Sequence, residues 1–236
     1  MHISGQVTHK LTTKFIYQKR HLRIMTMIEQ IEMKCSVCGK TSPQPVLFST
    51  NTMGYPDLDL RPAEMQRSTM STWVLECPHC GYVSGQLDGE VKITEDFLKS
   101  EEYMSCDGHE FEGRLSRLFY KNYLIAKESG TSMGCFMNLQ RCAWDCDDHE
   151  DDNAIDIRKK AIAYADELIG LDDEAKNNLL VIKSDLLRRS GQFDKLIEEY
   201  SNLRIGEEIL DKIIQFEIEK AKEKDTNCYT VEDVIT

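Results

Sequence analysis

The sequence predicts an α+β chain in which a small β domain precedes a larger all-helical one. Three observations carry that reading. Two CxxC pairs, each followed at once by glycine, stand at Cys35/Cys38 and Cys77/Cys80, with thirty-eight residues between Cys38 and Cys77. Short apolar runs lead into both pairs. From Phe111 onward, apolar residues recur at the spacing of a helix face rather than a strand face.

The cysteine spacing is the most specific of the three. Two residues between cysteines let both thiolates reach one ion at about 2.3 Å, and two such pairs complete a tetrahedral shell of four sulfurs. The glycines, Gly39 and Gly81, allow the tight reversal that turns backbone N–H groups toward sulfur. Cys35, Cys38, Cys77 and Cys80 are therefore expected to hold one structural Zn2+ per chain. Four thiolates leave no open coordination position, so the expected role is structural rather than catalytic. Reduced pairs, disulfides or a redox CxxC fit the doubled motif less well. His79, inside the second knuckle, is expected beside the shell rather than in it.

At 236 residues the chain can bury one large core or two small ones. No run of eighteen apolar residues suggests a membrane span, and residues 1–24 lack the apolar core of a secretory signal. Nine cysteines, an odd number with metal-type spacing, suit a reducing compartment, which points to the cytoplasm. The net charge of −12 is uneven: residues 1–142 carry 16 acidic and 16 basic side chains, and residues 143–236 carry 25 and 13. An acidic C-terminal half repels phosphate backbones. Its excess reads chiefly as a solvated helical surface, with a basic partner as the alternative.

Residues 1–26 read as a disordered basic arm or a non-native N-terminal extension. Lys10, Lys14, Lys19, Arg20 and Arg23 occur there without an acid, and Met25, Met27 and Met33 are alternative starts. Residues 27–92 form the β domain. Met27–Met33, Pro45–Ser49 and Thr72–Glu76 are its expected strands, which places a strand beside each knuckle, the zinc-ribbon arrangement. The departure is a long insert, residues 50–71. Asp57, Asp59 and Arg61 alternate within it, so in extended chain they would share one side and serve as a salt-bridged staple to the helices or as a ligand site.

Residues 93–236 read as helical. Thr94 starts a helix, and Cys106–His109 reads as a turn. Phe111, Leu115, Leu118 and Phe119 form a stripe that Gly130 stops, and Thr131-Ser132 can cap the next helix. That helix bears Cys135, Leu139, Cys142 and Cys146 on one face. These are core positions, where cysteine acts as a small hydrophobe, although Cys142, Cys146 and His149 also suggest a second metal site. The acidic run Asp147–Asp152 reads as an exposed loop. A third helix carries Ile157, Ala161, Ala165 and Leu168. Residues 173–190 make a fourth, with Arg188-Arg189 complementing its dipole, and 193–203 and 207–224 supply two more.

Leu180, Ser184, Leu187, Gly191, Phe193, Leu196, Tyr200 and Leu203 resemble the large, small, large, glycine, aromatic pattern of a tetratricopeptide repeat, with a degenerate earlier copy from Leu139 to Leu168. Leu196 stands where alanine is usual, and no proline ends the repeat. Taken together, the knuckles, the Pro56–Pro62 segment, Trp73 and the repeat-like C-terminus make residues 27–233 similar to a prokaryotic family known as a domain of unknown function. That resemblance implies an architecture and no activity. The expected role is a non-enzymatic interaction protein that binds a protein or peptide on its helical domain. Nucleic acid is a less favoured partner, because few basic residues other than Lys34, Lys40, Arg61 and Arg67 accompany the knuckles. No GxSxG, phosphate-binding glycine loop or HExxH occurs, which leaves an enzyme using the 50–71 insert as the weakest reading.

Overall fold

The computed structural model describes residues 26–108, 111–171 and 175–235. The expected N-terminal arm lies outside them except for Thr26, as do His109 and the acidic start of the fourth expected helix.

Strands β1 (Met27–Lys34) and β2 (Thr41–Ser49) form an antiparallel hairpin, in register from Lys34↔Thr41 to Ile28↔Leu47 with an irregularity at Met27. The first knuckle is its turn. β2 begins as soon as that knuckle ends, well before the expected Pro45. Pro43 and Pro45 fit because a two-stranded sheet leaves β2 one open edge, where a missing N–H is tolerated. A second hairpin pairs β3 (Leu75–Glu76) with β4 (Val83–Ser84) around the second knuckle. The two sheets are separate.

The expected strand Thr72–Glu76 is mostly absent. Thr72 instead closes a 3-10 turn, Arg67–Thr72. Side chains hold it there: the Thr69 hydroxyl donates to the Gln66 carbonyl at 2.7 Å, and Trp73 Nε1 donates to Thr69 Oγ1 at 2.9 Å. Local hydrogen bonds of this kind compete with a strand ladder.

Thr94 caps α1 (Glu95–Leu98), accepting from the Phe97 N–H, but the helix stops there. Ser100 then caps a separate α2 (Glu101–Ser105). The long helices follow: α3 (Arg114–Glu128), α4 (Ser132–Asp148), α5 (Asn153–Ile169), α6 (Lys176–Arg189), α7 (Phe193–Tyr200) and α8 (Glu208–Lys222), then the short α9 (Glu232–Ile235). Thr131 occupies the cap position of α4, but its hydroxyl makes no capping bond. Each long helix packs on the one before it, α6 also packs on α8, and α3 meets β4. Among the described residues no helix is long and apolar enough to cross a membrane.

One apolar core runs through both halves, from Cys35, Leu58 and Val83 through Leu118, Leu139 and Ala165 to Leu196 and Ile214. Ser184, Leu187, Leu196 and Tyr200 face inward, and the Tyr200 hydroxyl donates to the Leu180 carbonyl at 2.9 Å. The knuckle end of the β1–β2 hairpin is tied to the body through Met33, Ser42 and Gln44, whose Nε2 donates to the Glu76 carbonyl, and the far end is exposed. Met27, Ile28, Ile31 and Phe48 are all exposed on the hairpin, Phe48 by 52%.

Candidate metal centre

The two knuckles are built alike. In the first, Cys35 N–H donates to Lys40 O at 2.9 Å and Gly39 N–H to Cys35 O at 2.9 Å. In the second, Cys77 N–H donates to Tyr82 O at 2.8 Å and Gly81 N–H to Cys77 O at 2.9 Å. Gly39 and Gly81 take φ of 69° and 72°, left-handed backbone that a side chain would strain. The match makes the knuckles near-copies facing one another.

They bring Cys35, Cys38, Cys77 and Cys80 together, with all four sulfurs within 4.8 Å of one another. Cys35 Sγ lies 3.7 Å from Cys80 Sγ, and Cys38 Sγ lies 3.7 Å from Cys77 Sγ. A disulfide needs about 2.05 Å, so these are not bonded pairs. A tetrahedron with metal–sulfur bonds of about 2.3 Å has edges of about 3.8 Å. The cluster fits that figure and can hold a metal ion. Burial, followed by the neighbouring thiols, pushes Cys80 far above the usual thiol range, while the Lys40 N–H pulls Cys38 down. His79 lies outside the shell, its Nε2 3.3 Å from the Thr41 carbonyl oxygen.

The 50–71 insert does not run extended past Asp57. Asp57 N–H donates to Arg61 O and Leu60 N–H to Asp57 O, so Asp57–Arg61 is a tight turn with Leu60 at φ 64°. Its three charged residues consequently reach different partners. Asp57 pairs with Arg67 at 2.5 Å. Asp59 Oδ2 accepts from Trp144 Nε1 at 2.5 Å, and its carbonyl accepts from Gln140. Arg61 makes a two-pronged pair with Asp148. The staple is present, aimed mainly at α4. A further partner comes from the C-terminal tail: Leu58 N–H donates to Tyr229 O at 3.0 Å and Val231 N–H to Pro56 O at 2.9 Å. A strand-like bridge joins Asp57 to Thr230. Residues 226–231 carry no periodicity, so this contact had no signal in the sequence.

The acidic run after Cys146 is only in part the expected exposed loop: Asp148, Glu150 and Asp152 are exposed, but Asp147 is partly covered and Asp151 is buried. Asp147 and Asp148 close α4, where Asp147 pairs with Arg158 and Arg189 and Asp148 with Arg61. Asp151 is buried and accepts from the Glu112 and Asn153 N–H groups. Arg188 and Arg189 are likewise not surface charges. Arg188 is fully buried between Glu217 and Asp185, and Arg189 reaches Asp147 at 2.8 Å. Burial lifts the Asp185 carboxyl to about 6 and that of Glu217 to about 8.

Cys142 and Cys146 are buried in the helical core, and burial raises the Cys142 thiol well above its usual range. His149 Nδ1 turns back to the Asp145 carbonyl oxygen at 2.8 Å. Among the described residues the four-thiol cluster is the one group placed to hold a metal.

Fold and site define a metal-competent β module on a helical body. No family model, curated protein or solved structure matches the chain. The resemblance to a prokaryotic family thus rests on its motifs alone.

Proposed function

We propose that the chain is a zinc-binding, non-enzymatic interaction or scaffold protein. A zinc ribbon over residues 27–92, enlarged by the 50–71 insert, is joined to a tetratricopeptide-like helical domain over residues 93–236. The observation that carries this reading is the four-sulfur cluster, with two edges of 3.7 Å and all four sulfurs within 4.8 Å of one another. A site of that kind has no open position for water or substrate, and tetrahedral thiolate suits zinc. When bound, the ion would staple the two knuckles, while Gly39 and Gly81 let both reversals close around it.

The interaction half of the reading is supported by the β1–β2 hairpin. It presents Met27, Ile28 and Ile31 on β1 and Phe48 on β2 to solvent, in a two-stranded sheet with open edges. A protein or peptide partner can cover such apolar positions and add to such an edge. Nine cysteines kept as thiols agree with a cytoplasmic setting.

Elemental analysis of the purified full chain tests the first half, with an expected zinc-to-chain ratio near one. Protein prepared without chelator that holds no metal, or holds iron with a charge-transfer colour, overturns it. For the second half, Ile28→Lys and Phe48→Lys should abolish retention of a protein partner and leave the melting temperature unchanged. Retention that survives both substitutions removes the hairpin from the interface.

A further inference from the structure

A pocket of about 380 Å³ opens where the insert meets α4. Leu60, Pro62, Trp73, Met137, Arg141 and Trp144 contribute to its walls, and none of its lining residues is a carboxylate. Both tryptophans of the chain therefore meet at one place. The volume lies in the range of small-molecule sites, roughly 300–1,000 Å³, which are mostly apolar with a few polar groups.

Arg141 is the polar feature. Its guanidinium stacks 5.6 Å from the centre of the Trp73 ring. Among the described residues it has no ion pair and no hydrogen bond. Arg61, Arg67, Arg117, Arg158, Arg188 and Arg189 each reach a carboxylate, and Arg114 and Arg204, which do not, are exposed. In a chain of net charge −12, a half-buried arginine without an acid is out of pattern. Burial alone lowers its basicity, with no neighbouring anion to offset it.

The rim is also out of pattern. Leu60 holds left-handed backbone at φ 64° while 39% exposed, and Met137 is 38% exposed. Strained backbone of this kind gathers at binding sites. We propose that this pocket binds a small planar carboxylate, with its ring against the tryptophan-lined wall and its carboxylate on Arg141. Guanidinium recognises carboxylate through a two-pronged fork, and flat aromatic surface favours a flat ligand. A single negative charge suits one arginine, whereas the chain's net charge of −12 opposes a polyanion. This inference stands independently of the metal and of any protein partner.

The two indole N–H signals of the 15N-labelled full chain report the pocket directly. The probe is 2-naphthoate, with neutral 2-naphthol and inorganic phosphate beside it. Both signals should move together and saturate with naphthoate, and naphthol should bind about tenfold more weakly or worse. Arg141→Met should weaken naphthoate about tenfold and leave naphthol unchanged. Met137→Glu, at an exposed rim position, should weaken naphthoate more than naphthol, which keeps the test intact if Arg141→Met does not fold. No saturable movement by about 10 mM naphthoate overturns the proposal. So does equal binding of naphthoate and naphthol, or an equal response to phosphate alone.

Discussion

Arg188 shows how much a single side chain can organise. Its guanidinium donates to Glu217, to Asp185 at 3.0 Å, and to the carbonyls of Asp225 and Asn227 at 3.0 and 2.8 Å. Asp185 also lies 4.0 Å from Arg189, while burial, with the Asp185 charge beside it, raises the Glu217 carboxyl against the pull of Arg188. A carboxyl whose folded pKa is raised takes up a proton on folding, so its contribution is present at low pH and is lost as pH rises from its ordinary value, about 4.5, toward 8. The difference in melting temperature between the wild type and Glu217→Gln should therefore change steadily from pH 5 to pH 8, with the variant gaining ground as pH rises. A constant difference across that range would mean that Glu217 is ionised throughout. Arg188→Met should lower stability by about 3 kcal/mol or more, because it leaves the buried Glu217 without its cation. In sequence, Arg188-Arg189 looks like any basic helix end. What makes it a core residue is Glu217, twenty-nine positions away on α8.

At the scale of elements, the legible parts are those whose cause is local. Each knuckle carries its ligands, its glycine and its turn within six residues, and could be read directly. The amphipathic stripes of α3 to α6 give the helices for the same reason. The strand β4 is two residues long and leaves no pattern, and Trp73 sits in a turn because Thr69 holds its indole. The start of α3 is another non-local case. Gly113 precedes it, Ser116 N–H donates to Asp145 Oδ2 at 2.6 Å, and a β-carbon on Gly113 would lie 2.2 Å from that oxygen. Asp145 on α4 thus satisfies the first turn of α3 from outside. Gly113→Ala should cost about 1–3 kcal/mol in chemical denaturation, whereas Gly89→Ala, with ordinary contacts, should cost less than about 1 kcal/mol. Equal losses at both sites would mean that the close approach relaxes freely.

Across the whole molecule, the β module and the helices share one core and the polar contacts of Asp59, which accepts from Trp144 and lies 3.9 Å from Arg189, and of Arg61, which pairs with Asp148. The sequence supports a division near residue 92 and, in the alternation of Asp57, Asp59 and Arg61, a staple to the helices, but it does not say which helical residues that staple meets, since they lie about eighty positions away. Metal loss should accordingly be felt beyond the knuckles. Replacing Cys77 with serine, or stripping the ion with chelator, removes a folding contribution that in small metal modules reaches about 10–16 kcal/mol. Helical circular dichroism should then melt at a lower temperature than in the metal-loaded chain. An unchanged helical transition would show that residues 93–236 stand alone.

The bridge between Asp57 and Thr230 also has a consequence in time. During synthesis Thr230 is made about 170 residues after Asp57, which at roughly 5–20 residues per second is about ten to thirty-five seconds later. Through that interval the Leu58 N–H and the Pro56 carbonyl have no tail to meet, so the turn that ties the two halves together is completed only when translation has passed Val231.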